Sequence, residues 1–374
     1  MNKFISPYRN PYAPYWLVGD KKIYNQFEGT KAALQPGGPD FRFVFLEEQY
    51  DKCNWSQEPA ESWENLCMVQ ALKIRNKYKK IKLCFSAGRD SGHIWRVFEK
   101  NNIPIDELII AYSPYHPLRK HEHDAYIYPQ AIELCKKHPR MKLSVLEMGE
   151  AQYEMQFGNT DWLEGVDAQQ GRMVFAPYHF NRVLTELDPD AGDPTVGYII
   201  GLEKPRIQLI NGNFVFRHLD VDVNHWVYNV PNLEWFYWAP EMPELFIKQC
   251  WMAVNHIEKY YPGADQKFLY EFQNTYSVYY DEFCKSIGRG TAMIWECGNG
   301  IQKTRDNYHW SIQASIAHAR DNKWKSYTNW QAMMKDLSNN WAHCFNDNDP
   351  MKGSVGIWGK PYVIKPQNAV VALG

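Results

Sequence analysis

The sequence predicts an α/β protein built on a doubly wound parallel sheet. Three observations carry that prediction: short apolar runs alternate with helical periods over residues 80–147, a small-residue turn follows the first run, and the composition is that of a globular chain. The 374 residues are 45% hydrophobic and 22% charged, which places the chain outside the disordered and fibrous classes. A chain of this length can bury a core without help from disulfides or metals.

Residues 1–75 read as an irregular or β-containing segment plus one helix. The stretch 41–46 is the clearest strand, and Pro36, Gly37, Gly38 and Pro39 break the pattern before it. Trp63, Leu66, Met68, Leu72, Ile74 and Tyr78 recur at helical spacing over residues 62–79, and the helix ends in a basic cluster. An α/β unit follows over residues 76–260. Residues 80–85, 108–112 and 142–147 read as buried strands, with helices expected over 93–101 and 123–137 between them. A β-α-β-α-β succession implies parallel strands joined by right-handed crossovers.

Residues 149–171 are polar and loop-rich. Another strand is expected at 196–201, and Asn211-Gly212 between the apolar runs 206–210 and 213–217 predicts a hairpin. A helix over 244–260 follows Pro240 and Pro243. Residues 261–374 read as a mainly helical region, interrupted at Gly288-Arg289-Gly290 and Gly298-Asn299-Gly300, with a strand-like run at 362–364.

Lys and Arg number 41 against 43 Asp and Glu, so net charge gives no indication of nucleic-acid binding, which needs an excess of cations to displace counterions. No run approaches the length of a membrane span, and residues 1–20 do not read as a signal peptide. The eight cysteines contain no CxxC pair. They are expected as reduced thiols of a cytoplasmic protein, and neither a zinc ribbon nor an iron–sulfur run can be read from their spacing.

The segment with chemical content is Ser86-Ala87-Gly88-Arg89-Asp90-Ser91-Gly92, between the first parallel strand and its helix. A turn of small residues there lets backbone N–H groups converge on an anion, and the helix that follows adds the positive end of its dipole. The Ser86 and Ser91 hydroxyls can bond phosphate oxygens, while Asp90 can orient the loop or hold Mg²⁺. It is not a Walker loop, because no GK[ST] ending is present.

Phe85 to Ser91, reading F-S-A-G-R-D-S, resembles the SGGxDS signature of the PP-loop ATP pyrophosphatases, the adenine nucleotide alpha hydrolase-like group. That group includes asparagine and GMP synthetases, tRNA-thiolating and tRNA-lysidine enzymes and phosphoadenylylsulfate reductases. The resemblance implies an ATP-binding ligase or transferase with ATP and Mg²⁺ as cofactors. ATP is cleaved to AMP and pyrophosphate, a substrate oxygen is adenylated, and a nitrogen or sulfur nucleophile then attacks. Ala87 stands where the family has Gly, a position at which a φ above zero would be costly for Ala. Gly201-Leu202-Glu203-Lys204-Pro205-Arg206 is similar to the basic segment of such enzymes, which makes Lys204 and Arg206 candidates for neutralising pyrophosphate. Tyr112, at the end of the second strand, lies where the resemblance places adenine contacts. Residues 204–220 and 232–249 are similar to uncharacterised bacteriophage members, so the expected location is cytoplasmic, in the host cell if phage-encoded. The resemblance covers residues 81–260; the flanking regions match no family known to us.

Two other readings stay open. One is a catalytically silent nucleotide-binding or assembly protein. The other is a phosphoadenylylsulfate reductase-like enzyme, which would need a Cys of the C-terminal third at the nucleotide edge. The sequence does not identify the acceptor substrate, and it leaves oligomerisation open. His116, His121, His123 and Asp124 form a possible metal cluster, with a polar loop as the plainer reading. Asp188, Asp190, Asp193, Asp220 and Asp222 could complete an Mg²⁺ site, with solvated carboxylates favoured. The aromatic run Trp235 to Trp238 reads as core before it reads as a stacking surface.

Overall fold

The computed structural model describes residues 12–24, 40–151, 184, 187–201, 204–220, 232–274, 277–289, 305–342, 347 and 356–368, with backbone alone for 305–309. Its centre is a five-stranded sheet in the order β10-β7-β4-β5-β6, every neighbouring pair parallel. The strands are β4 (Lys80–Cys84), β5 (Glu107–Tyr112), β6 (Lys142–Glu147), β7 (Val196–Ile200) and β10 (Leu233–Trp235). All five residues of β7 are buried, as are the last four of β4, the pattern of strands covered on both faces.

Chain order within this sheet decides where a ligand can enter. The first strand, β4, is central; the second and third lie on one side of it, and the fourth and fifth on the other. The loops leaving β4 and β7 therefore diverge in opposite directions at the carboxyl edge. In doubly wound sheets such a switch point opens a crevice outside the strand ends.

The helices form for local reasons. Helix α2 (Trp63–Lys77) starts where the Ser62 side chain accepts from Asn65 N–H and finishes with Arg75 and Lys77 in its last turn, opposing the helix dipole. It follows a short α1 (Glu47–Tyr50) and packs against α3 (Arg89–Lys100) and α6 (Pro243–Tyr260). Helix α3 begins at Arg89, not at residue 93 as the sequence suggested, because the second half of the small-residue turn is itself the first helical turn. The second crossover also starts early. His116 and Pro117 open α4 (Pro117–Glu122), a π-helical turn follows at His123–Ile127, and α5 (Tyr128–Lys137) completes it. Proline at the first helical position is the signal for that start.

Two antiparallel sheets flank the centre. One is β2-β1-β3, with β1 (Tyr15–Val18), β2 (Lys21–Ile23) and β3 (Phe41–Val44). The other is β11-β9-β8, in which β8 (Ile207–Ile210) and β9 (Asn213–Phe216) form the expected hairpin and β11 (Tyr362–Pro366) adds from the far end of the chain. Asn211 and Gly212 both have positive φ, as a tight hairpin turn requires. Trp16 Nε1 donates to Asp220 Oδ2 at 2.9 Å, and Ile357 N–H donates to Asp220 Oδ1 at 2.8 Å. Asp220 is thus a fully buried structural acceptor and not part of a solvated metal site.

The C-terminal region holds α7 (Gln266–Gln273), α8 (Tyr280–Ser286), α9 (Arg305–Asp321) and α10 (Lys325–Asn340). One connected set of buried side chains runs from Trp16 through the central sheet to Ile364. The aromatic run Trp235 to Trp238 belongs to it, all four residues being buried. Among the described residues no helix is long and apolar enough to cross a membrane.

Asp188 and Asp190 do not approach the carboxyl edge. Lys82 Nζ donates to both oxygens of Asp188 at 2.7 and 2.8 Å and lies 2.9 Å from Asp190, while Lys80 bridges Asp190 and Glu107. Lys80 and Lys82 pair in register with the first residues of β7 and β5, so this ion network belongs to the amino-terminal half of the sheet. Neither an Mg²⁺ site nor the favoured reading as solvated loop carboxylates holds for these two acids: both carboxylates are paired with lysines, and Asp188 is buried. Asp222 and Gly298-Asn299-Gly300 lie outside the described residues.

Candidate functional site: an anion crevice at the carboxyl edge

The loop Ser86 to Gly92 leaves β4 at the switch point. Phe85 N–H donates to Ile109 O, which fixes the loop entry on β5, and Ser91 Oγ accepts from Ser86 N–H at 3.1 Å. Ser91 is buried and holds the loop closed on itself, whereas Ser86 is exposed. Ala87 has φ +49°, in the left-handed region that favours glycine. Gly88 precedes the first turn of α3 and, lacking a side chain, supplies no cap to its amides. A Cβ there would stand 3.2 Å from Ser86 Oγ, so the loop interior is kept clear at that point.

Asp90 lies in the first turn of α3 and collects charge from two remote segments. Lys204 Nζ donates to Oδ2 at 2.9 Å and Arg289 Nη1 donates to Oδ1 at 2.8 Å. Burial alone would raise the Asp90 carboxyl, but the two cations outweigh it and hold the group below the usual carboxylate range. Lys204 follows β7 and reaches over the Tyr280 ring, 5.4 Å from its centroid; burial would lower its pKa, but Asp90 raises it well above the ordinary lysine value. Gly201 makes this approach possible. A Cβ on it would lie 2.6 Å from Ile94 Cδ1 and 3.3 Å from the Asp90 backbone carbon, so glycine lets the β7 exit pass directly beside the start of α3.

Arg289 was not among the residues the sequence pointed to; the Gly288-Arg289-Gly290 stretch read only as a helix break. Gly288, at φ +73°, ends α8: Gly288 N–H donates to Lys285 O and Arg289 N–H donates to Cys284 O. That pair of bonds is a Schellman ending, and it delivers the next side chain into the core. The Arg289 guanidinium lies 3.3 Å from the Tyr237 ring centroid and also donates to Gln249 Oε1 at 3.2 Å. The Tyr237 hydroxyl donates to Asp90 O at 3.2 Å and lies 2.8 Å from His93 Nδ1. His93 is stacked near Trp63 and Tyr237, and burial with the Arg289 and Arg96 charges presses its pKa down to about 3. A second tie joins loop and α8, an ion pair between Arg89 and Asp281.

The other expected residues divide. Arg206 is half-buried at the foot of β8 and does not pair with Asp90. Tyr112 ends β5 on the same carboxyl edge as the loop, its ring 4.2 Å from that of His123. The histidines do not converge. His116 Nδ1 lies 2.6 Å from Ser311 Oγ of α9, and His123 Nδ1 lies 2.9 Å from Asp124 Oδ1. Among the described residues no group of three or more His, Cys, Asp or Glu could hold a metal ion. Cys284 of α8 is brought within electrostatic range of Asp90 and Lys204, but it is fully buried and burial pushes its thiol pKa up, which opposes a reactive thiolate. Cys297 and Cys344 lie outside the described residues.

The side-chain-uncapped start of α3, the exposed Ser86 hydroxyl and Lys204 gather at the carboxyl edge of β4 and β7, a set of donors suited to an anion. No protein-family model, curated protein or solved structure matches this chain.

Proposed function

We propose that this chain binds ATP, delivered as its Mg²⁺ complex, across the β4–β7 switch point and transfers its AMP moiety to an oxygen of an acceptor substrate. The acceptor oxygen attacks the α-phosphorus, the α–β phosphoanhydride bond breaks, and pyrophosphate leaves with that electron pair. The adenylated acceptor is then open to a nitrogen or sulfur nucleophile, which displaces AMP. The observation that carries this reading is the meeting of the Ser86 to Gly92 loop and Lys204 at the β4–β7 switch point. The F-S-A-G-R-D-S resemblance supplies the nucleotide and the bond broken.

In this scheme the first-turn amides of α3 and the Ser86 hydroxyl hold the leaving pyrophosphate. Lys204 neutralises the charge that develops on it, which is preorganised electrostatic stabilisation of a leaving group. Both Asp90 oxygens are already held by cations, so this carboxylate organises Lys204 and does not fit the role of a metal ligand. Mg²⁺ enters here with the nucleotide, and no step passes through a protein-held metal. The same closed ion triad favours a second reading, a nucleotide-binding protein without turnover, in which Asp90 keeps the cations from the phosphates.

Equilibrium binding of ATP and of inorganic pyrophosphate to wild type and Lys204→Met tests the site. Both ligands should bind wild type, and the substitution should weaken each by at least about tenfold, the loss expected for one charge-assisted contact of 1.5–3 kcal/mol. Equal affinity in the two proteins would remove Lys204 from the site.

A further inference from the structure

The two cations that share Asp90 are held very differently. Arg289 is 0% exposed. Its backbone is fixed by the Schellman ending of α8, by Trp63 Nε1 donating to Gly288 O at 3.1 Å and by Arg96 Nη2 donating to Arg289 O at 3.5 Å. Its guanidinium is confined between the Tyr237 ring, Gln249 and Asp90. Gly288 has no space for a side chain, since a Cβ would meet Trp63 Nε1 at 2.3 Å. Lys204 is different: its side chain is 14% exposed, it follows a strand end instead of a helix cap, and it pairs with the second oxygen of the same carboxylate, itself 20% exposed.

We propose that Arg289 is a positioning residue that anchors the Asp90 carboxylate from the buried side, so that Lys204 can leave Asp90 for the phosphate oxygens of a nucleotide without leaving that carboxylate unpaired. The inference rests on the nucleotide-site reading given above. An ion pair in a partly buried place is costly to break because the abandoned charge loses its compensation. With Arg289 in place, Asp90 keeps one bonded cation after Lys204 departs. Without it, Asp90 holds Lys204 in a one-to-one pair, and the lysine is withheld from the ligand. Arg289 thus acts through Asp90 and Lys204 and does not itself touch the phosphates.

The test is pyrophosphate binding, measured calorimetrically, to wild type, Arg289→Met, Asp90→Asn and the double variant, with Arg289→Lys as a fifth protein. Arg289→Met should bind about tenfold more weakly than wild type. Adding Asp90→Asn should restore affinity to within about threefold of Asp90→Asn alone, because no carboxylate remains to hold Lys204. Arg289→Lys should fall between wild type and Arg289→Met, and it carries the comparison if Arg289→Met does not fold. A loss in Arg289→Met that Asp90→Asn fails to reverse in a folded protein would overturn the inference, as would wild-type affinity in Arg289→Met. Wild type that binds no pyrophosphate would sink the nucleotide-site reading instead, which separates the two failures.

Discussion

Ala87 carries the backbone cost of the loop. An L-residue in the left-handed region pays roughly 1–2 kcal/mol, and Ala87 is also fully buried, so the position tolerates Gly or Ala and nothing branched. Ala87→Val should destabilise the protein by about 2 kcal/mol or more in denaturant unfolding and abolish ATP binding, while Ala87→Gly should keep both near wild type. A Val variant of unchanged stability would contradict the left-handed assignment. Two buried histidines make stability depend on pH. His93 and His218 are both pressed down to about 3, His93 by burial and nearby arginines, His218 by burial. Their folded values lie below the unfolded value of about 6.5, so the unfolded chain binds the extra protons. The stability is fully present above about pH 6.5 and is lost as pH falls toward 3. His218→Phe should therefore remove about 1 kcal/mol per pH unit from the slope of stability against pH between 6 and 4. Asp90 acts in the same direction at lower pH: its depressed carboxyl contributes above the unfolded value of about 3.9 and loses its contribution as pH drops through the folded one.

Two strand exits and a helix start frame the proposed site, and Gly201 sets the spacing between the β7 exit and α3. A methyl group there meets the end of Ile94, which can move, and the backbone of Asp90, which cannot move without shifting the first turn of α3. Gly201→Ala should lower stability by about 1 kcal/mol yet weaken pyrophosphate binding at least tenfold, a separation visible by comparing unfolding with calorimetry. Equal affinity would show that the β7–α3 spacing does not shape the site. At this scale the sequence was legible where apolar period and turn chemistry agree. The strands 80–84, 142–147 and 196–200 and the Asn211-Gly212 hairpin stand within a residue of their expected ends. Legibility failed where a residue serves two elements at once. Arg89 to Gly92 are both loop and helix, and His116-Pro117 open a helix inside what read as a polar loop. Arg289 was hidden because its partners lie 199 and 40 residues away in the chain. Its local signal, a glycine just after a helix, states only that the helix ends.

The whole molecule explains why a C-terminal helical region accompanies the sheet. Helix α8 supplies Asp281 to Arg89 and, through its cap, Arg289 to Asp90. Helix α9 holds the β5 exit, with Ser311 Oγ accepting from Leu118 N–H and Ser315 Oγ donating to Tyr115 O. The region thus reaches the β4 exit, where the nucleotide is proposed to bind, and the β5 exit beside Tyr112. The proposed adenylation is tested most directly by incubating wild type and Asp90→Ala with radiolabelled ATP and Mg²⁺ and resolving AMP, ADP, pyrophosphate and phosphate, with candidate acceptors added in turn. The account predicts AMP and pyrophosphate from wild type and a loss of at least about a hundredfold in Asp90→Ala, the scale of removing a group that organises charge stabilisation. ATP that stays intact with every acceptor, or that yields ADP and phosphate, would contradict it.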